Sequence, residues 1–256
     1  MASSSQTRRS RREQLAAQRL AEASKDRRNK IMFFGLGVVV FALVVGFATW
    51  GIVAHSASAA TGGTDVPPNA NAAKNGIYLA PPTDGAPTFD MWLDYNCAVC
   101  RGANLTLSAA MDSIATSGQV NIVIHPLSFE GATSGDAAVA AACADIQGVF
   151  PAYNNQLFID QPTDGSGLTD DQLRATIPDE INMTPDEVTG FQTCFDNQAT
   201  GRFVAGIQTY GSKHGITNTP QFDFGGKDVT TQLWNTNTNT YDPDLLRSLL
   251  GVGTAS

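Results

Sequence analysis

Apolar and polar positions divide the chain into two regimes. From Ile31 to Ala54 there are 24 residues without one ionisable side chain, whereas beyond residue 76 short apolar alternations and helical spacings are broken by Pro, Gly and Asn. As a helix the long run spans roughly 36 Å, enough for the ~30 Å hydrocarbon core of a bilayer. In Thr88 to Tyr95, Phe89, Met91 and Leu93 alternate with Asp90, Trp92 and Asp94, which is strand periodicity. Ala98 to about Ala115 contains no Pro and reads as a helix closed by Gly118. Gln119 to His125, with Val120, Ile122 and Ile124 on one face, reads as a second strand, so the three segments predict a βαβ crossover.

Helical patterning then holds from about Phe129 to His214. Gly135-Asp136 precedes the small-residue run AAVAAACA, Phe150 to Phe158 is a short helix, and Asn197 to Lys213 a longer one. Thr169 with Gln172, and Thr184 with Glu187 after Pro185, have capping-box spacing. Gln221 to Phe224, Gly225-Gly226 and Lys227 to Val229 predict a β-hairpin. Asn235 to Thr240 reads as a loop, and Asp242-Pro243 starts a final helix through Leu250. The fold class is α/β with a helical insertion at about 130–214.

Charge sharpens the division. Residues 1–30 hold nine basic and three acidic side chains, a net of +6, and the other 226 residues hold seven basic and 21 acidic, a net of −14. Basic residues just ahead of an apolar span keep the N-terminus cytoplasmic and place the C-terminal portion outside. A cleaved signal peptide is the competing reading, with Ala57-Ser58-Ala59 as a small-residue site, but its apolar region would be about 7–15 residues. The expected organisation is a basic cytoplasmic tail over 1–30, one transmembrane signal anchor over 31–54, a flexible linker over 55–75 and a folded domain over 76–256. The tail has no aromatic residue and no base-reading pattern, so it reads as an orientation signal and not as a nucleic-acid arm.

The chemistry sits in Cys97-Ala98-Val99-Cys100, directly after a strand and at a helix start. Unpaired N–H groups and the positive dipole end at such a place favour thiolate over thiol. Cys97 is the candidate nucleophile and Cys100, one turn on, the resolving thiol. Zinc would need further ligands that isolated Cys143 and Cys194 and three His residues do not provide, and covalent haem would need His where Arg101 stands. An inert disulfide is the remaining alternative. Cys143 and Cys194 are an even pair in an oxidising compartment, which suggests a structural disulfide, with two buried free thiols as the alternative. His125 reads as structural, and the acceptor-like Asn104-Leu105-Thr106 as coincidental on a helix.

Strand, Cys-x-x-Cys, helix, helical insertion with Tyr153-Asn154-Asn155-Gln156-Leu157-Phe158, and Thr219-Pro220 ahead of a strand and a Gly-Gly hairpin together resemble the DsbA-like form of the thioredoxin fold, over about residues 76–251. The chain resembles the membrane-anchored type from actinobacteria, members of which carry a second disulfide like the one suggested for Cys143 and Cys194. The resemblance implies a thioredoxin fold with a helical insertion, here preceded by one transmembrane helix. It implies a cis Pro220 beside the cysteines and a Thr219 backbone that pairs with an extended substrate. It also implies oxidation of exported proteins bearing cysteine pairs, with reoxidation by a quinone-linked membrane oxidase of the DsbB or vitamin-K-epoxide-reductase (VKOR) type and no cofactor or metal.

Two positions depart from the pattern. Ala98-Val99 replaces the Pro-His of strong oxidants, and Met91 stands where related proteins carry a buried acid. A milder oxidant is therefore expected, with Asp94 as a candidate proton acceptor for Cys100 or else a solvated strand end. Two other functions fit the same residues: a disulfide reductase, and a non-catalytic module holding extended chains in the groove at Thr219-Pro220.

Overall fold

The computed structural model describes residues 62–253, and the expected tail and transmembrane anchor lie outside them. Among the described residues no helix is long and apolar enough to cross a membrane. The centre is a five-stranded sheet in the order β1-β3-β2-β4-β5, with β1 Ile77–Tyr78, β2 Thr88–Asp94, β3 Asn121–Leu127, β4 Gln221–Phe224 and β5 Lys227–Asp228. Strands β2 and β3 are parallel, in a register that sets Met91 beside Ile124 and Trp92 beside His125, and helix α1 (Ala98–Ser117) connects them. The predicted βαβ crossover is therefore present. Its two strands lie at the centre of the sheet, which is why Phe89, Met91, Trp92 and Leu93 are all buried in place of a simple alternation.

Helices α2 (Ala132–Ile146), α3 (Phe150–Ile159), α4 (Ile177–Glu180, entered through a π-helical turn Gln172–Thr176) and α5 (Pro185–Asp196) make the insertion, and α6 (Gly201–Lys213) returns to β3. Both capping boxes form: Thr184 and Glu187 bond reciprocally, as do Thr169 and Gln172. The small-residue run of α2 is buried, letting α3, α5 and α6 approach it. After β5, the short strands β6 (Trp234–Asn235) and β7 (Thr240–Tyr241) pair before α7 (Pro243–Leu250), which Asp242 caps.

Helix α2 starts at Ala132, inside the stretch read as helical, and its entry loop is pinned by bonds to Asp94 on β2, far away in sequence. Three expectations change. The helix expected from Asn197 begins at Gly201, because Gln198 adopts a positive φ of 50° and the Thr200 hydroxyl donates to the Val139 carbonyl at 3.3 Å. The loop at 235–240 is the tip of the β6-β7 hairpin. Finally, residues 62–75, expected to be flexible, lie against the domain. Gly63 N–H donates to Gln198 O at 2.8 Å, and Asp65 N–H to Ala199 O at 2.9 Å. Asn69 donates from backbone and side chain to buried Asp145 at 2.9 Å each. The segment's composition gave no sign of this because backbone and amide groups hold it, not apolar side chains. Its end also fixes His125, whose ring nitrogens lie 2.6 Å from Asn75 O and 2.8 Å from Asp90 Oδ1 while the ring stacks on Trp92. His125 is a packing residue of the sheet.

Candidate active site

Helix α1 begins on Cys97, which is its N-cap: the residue is extended (φ −73°, ψ 116°) and its Sγ accepts the Cys100 N–H at 3.3 Å. A sulfur thus takes the place usually held by a Ser or Asp oxygen. Both cysteines are free thiols and both are buried, while Ala98 and Val99 between them are exposed. The Cys97 thiol donates to Thr219 O at 3.4 Å. The Thr219–Pro220 peptide is cis and leads into β4, which pairs antiparallel with β2. Sheet pairing therefore brings together Cys97, Cys100, Thr219 and Pro220, from segments more than a hundred residues apart.

The two thiols are driven in opposite directions. Cys97 is lowered to about 7, chiefly by a hydrogen bond from the Cys100 thiol; burial opposes this, the Cys100 N–H and the Thr219 side chain add to it, and the charge of Glu130 opposes it. Cys100 is pushed well above the ordinary thiol range, first by burial and then by its neighbour Cys97. One sulfur can thus be a thiolate at neutral pH while the other keeps its proton. Alkylation of the reduced protein by iodoacetamide should follow this order. Because only thiolate reacts, the Cys97 rate should rise roughly 50-fold between pH 5 and pH 7. Its midpoint should fall at about 7. A midpoint at or above that of a free thiol, about 8.5, would contradict the geometry.

Asp94 is no solvated strand end. It is fully buried, and its carboxylate accepts the N–H groups of Asn96 (2.8 Å), Phe129 (2.6 Å) and Glu130 (2.9 Å) and the Ser134 hydroxyl. With both oxygens engaged by these donors, Asp94 anchors two loops. Asn96, which sequence reasoning passed over, completes the anchor: its Nδ2 donates to Glu130 O at 3.0 Å and to Thr133 Oγ1 at 2.7 Å. The Asp-x-Asn spacing ahead of Cys97 is a local turn signal that points to it. Met91 packs between Ile124 and Phe222, so the position of the acid found in related proteins is apolar here. Tyr241, also missed, is pushed up to about 12 by burial and then by the charges of Cys100 and Cys97. No signal in its own segment marks it, because β7 reaches α1 only through the fold.

Cys143 on α2 and Cys194 on α5 form a disulfide with Cα atoms 5.8 Å apart. Among the described residues no group of three or more His, Cys, Asp or Glu is placed to hold a metal ion. The site is a dithiol at a helix N-terminus with a neighbouring backbone carbonyl, suited to accept and release electron pairs at sulfur.

A family model described as thioredoxin matches residues 83–240. The chain belongs to this family. Its structure is similar to that of the thiol-disulfide oxidoreductase MdbA of Actinomyces oris, at 15% identity and TM-score 0.61 over 73% of this chain and 91% of that one. It is also similar to BdbD of Bacillus subtilis, with 19% identity and TM-score 0.54 over 75% and 95% of the two chains. DsbA of Mycobacterium tuberculosis gives 14% identity and TM-score 0.54 over 69% and 90%. No curated protein sequence matches the chain. At these identities the structures establish the shared DsbA-type thioredoxin fold.

Proposed function

We propose that this chain is a membrane-tethered, extracytoplasmic thiol:disulfide oxidoreductase that introduces disulfides into exported proteins through Cys97 and Cys100. The observation that carries the reading is the N-cap sulfur of Cys97, lowered to about 7 beside a buried Cys100 that holds its proton. The likeness to MdbA, BdbD and DsbA supports the reaction class. The tether and the compartment rest on the uncharged run 31–54, the basic tail before it, and a second disulfide of the kind an oxidising environment sustains.

In the proposed cycle a thiolate of a reduced, unfolded substrate attacks Cys97 Sγ in the Cys97-Cys100 disulfide. The enzyme's S–S bond breaks, and Cys100 leaves as a thiolate that takes up a proton. The substrate's second thiolate then attacks its own sulfur in the mixed disulfide, and Cys97 leaves as the stabilised thiolate. Two electrons pass from substrate to enzyme. A membrane oxidase linked to quinone, of DsbB or VKOR type, would return the pair to the disulfide. Thr219, with Pro220 after it, would offer its backbone to the extended substrate.

One observation favours a second reading. A nucleophile lowered only to about 7 resembles that of thioredoxin, about 7, more than that of a strong oxidant, about 3.5, which suits a reductase in the same compartment. Incubating the disulfide form with a reduced, unfolded two-cysteine protein tests the choice. Faster gain of native disulfides, with one enzyme disulfide consumed per bond formed, supports the oxidase; no acceleration sinks it.

A further inference from the structure

One acid has its backbone fixed, from outside its own loop, to the residues that lead into the reacting cysteine. Glu130 lies between β3 and α2 with its side chain exposed. Its N–H donates to Asp94 Oδ2 at 2.9 Å, and its carbonyl accepts Asn96 Nδ2 at 3.0 Å. The neighbouring Phe129 N–H is held on the same Asp94 oxygen at 2.6 Å, and Phe129 as a whole is 37% exposed. Since Asn96 directly precedes Cys97, the backbone of Glu130 is tied to the very segment that delivers the nucleophile. The charge of Glu130 acts on Cys97, working against its ionisation.

Among the described residues Glu130 makes no ion pair. The ion pairs there are His125 with Asp90, Arg174 with Asp196, and Arg247 with Asp244. Arg101, the nearest cation along the chain, directs its Nε to Phe158 O at 3.0 Å. An acid whose charge disfavours the Cys97 thiolate lowers the oxidising power of the pair, unless a cation is supplied with each substrate. A Lys or Arg next to the substrate cysteine would do so, and would also favour that cysteine's thiolate.

We propose that Glu130 is a specificity-determining residue that selects substrate segments carrying Lys or Arg beside the reacting cysteine. Phe129 supplies an apolar contact next to it. This rests on the oxidoreductase reading, and deepens it by naming a substrate class.

The test uses the full chain in its disulfide form and dithiol peptides that differ only in having Lys, Gln or Glu beside the first cysteine. Each turnover moves two electrons and two protons from the peptide to the Cys97-Cys100 disulfide. Rates are divided by those with 2-hydroxyethyl disulfide, an uncharged oxidant, to remove the peptide's intrinsic reactivity. The corrected Lys-to-Glu ratio should be roughly threefold to tenfold at low ionic strength and fall towards one in about 0.5 M salt. Glu130→Gln should bring the ratio close to one, and Glu130→Lys should invert it. Glu130 is exposed, so neither variant threatens folding, and their thermal unfolding checks this. A ratio that survives in Glu130→Gln, or a wild-type ratio of one, overturns the proposal while leaving the oxidoreductase reading intact. Failure to oxidise any of the three peptides overturns both.

Discussion

Replacing Cys97 by serine is expected to reduce oxidation of a reduced, unfolded protein to the uncatalysed rate, a loss of roughly a thousandfold or more. The variant cannot form the Cys97-Cys100 disulfide that accepts the electrons, and a serine hydroxyl cannot form the mixed disulfide. Cys97 is the helix N-cap through its sulfur, and a serine oxygen is an equally good cap. The fold should therefore persist, so that lost activity reports chemistry and not unfolding. Unchanged turnover would remove Cys97 from the mechanism. The non-catalytic alternative makes a different forecast: binding of an extended client would survive replacement of both Cys97 and Cys100.

The second large effect is on stability. The bond between Cys143 and Cys194 closes a loop of 51 residues across the insertion. In the chain-entropy account such a loop restricts the unfolded chain by about 4 kcal/mol. Both sulfurs are buried between α2 and α5, so a Cys143→Ala/Cys194→Ala double variant also loses packing. At about 2–4 °C per kcal/mol for a domain of this size, the melting temperature should fall by roughly 8–16 °C. The redox pair lies on α1, outside the loop that this bond closes, so the folded variant should keep its thiol reactivity at Cys97. A fall under about 3 °C would show that the bond contributes little and that the insertion is held by its apolar packing instead.

The parts of the fold that could be read from sequence were those specified locally. Periodicity located β2, α1 and β3; Thr184-Pro185-Asp186-Glu187 located the start of α5; and two glycines located the β4-β5 turn. Cys97 and Cys100 announced themselves by their place between a strand and a helix. What failed to show is contact between distant segments. The polar stretch 62–75 is held through Gln198, Ala199 and Asp145, and nothing within the stretch encodes those partners. Asp94 looked like a strand-end acid because three of its four donors, Phe129, Glu130 and Ser134, lie 35 to 40 residues on. Thr219-Pro220 is an ordinary dipeptide until β4 pairs with β2 and sets the Thr219 carbonyl 3.4 Å from Cys97 Sγ.

The direction of electron flow depends on how strongly the reduced form is stabilised. A thiolate favoured at Cys97 stabilises the dithiol and makes the disulfide more oxidising. The N-cap position, the Cys100 thiol and the Cys100 N–H provide that stabilisation, and the charge of Glu130 and the absence of a His between the cysteines limit it. The reduction potential of the Cys97-Cys100 pair, measured by equilibration with glutathione while Cys143-Cys194 stays closed, is the most direct test. The account predicts a mild oxidant, at about −230 mV or above and below the about −120 mV of the strongest oxidants. A value at or below about −270 mV, the range of thioredoxin, would contradict it and make the protein a reductase.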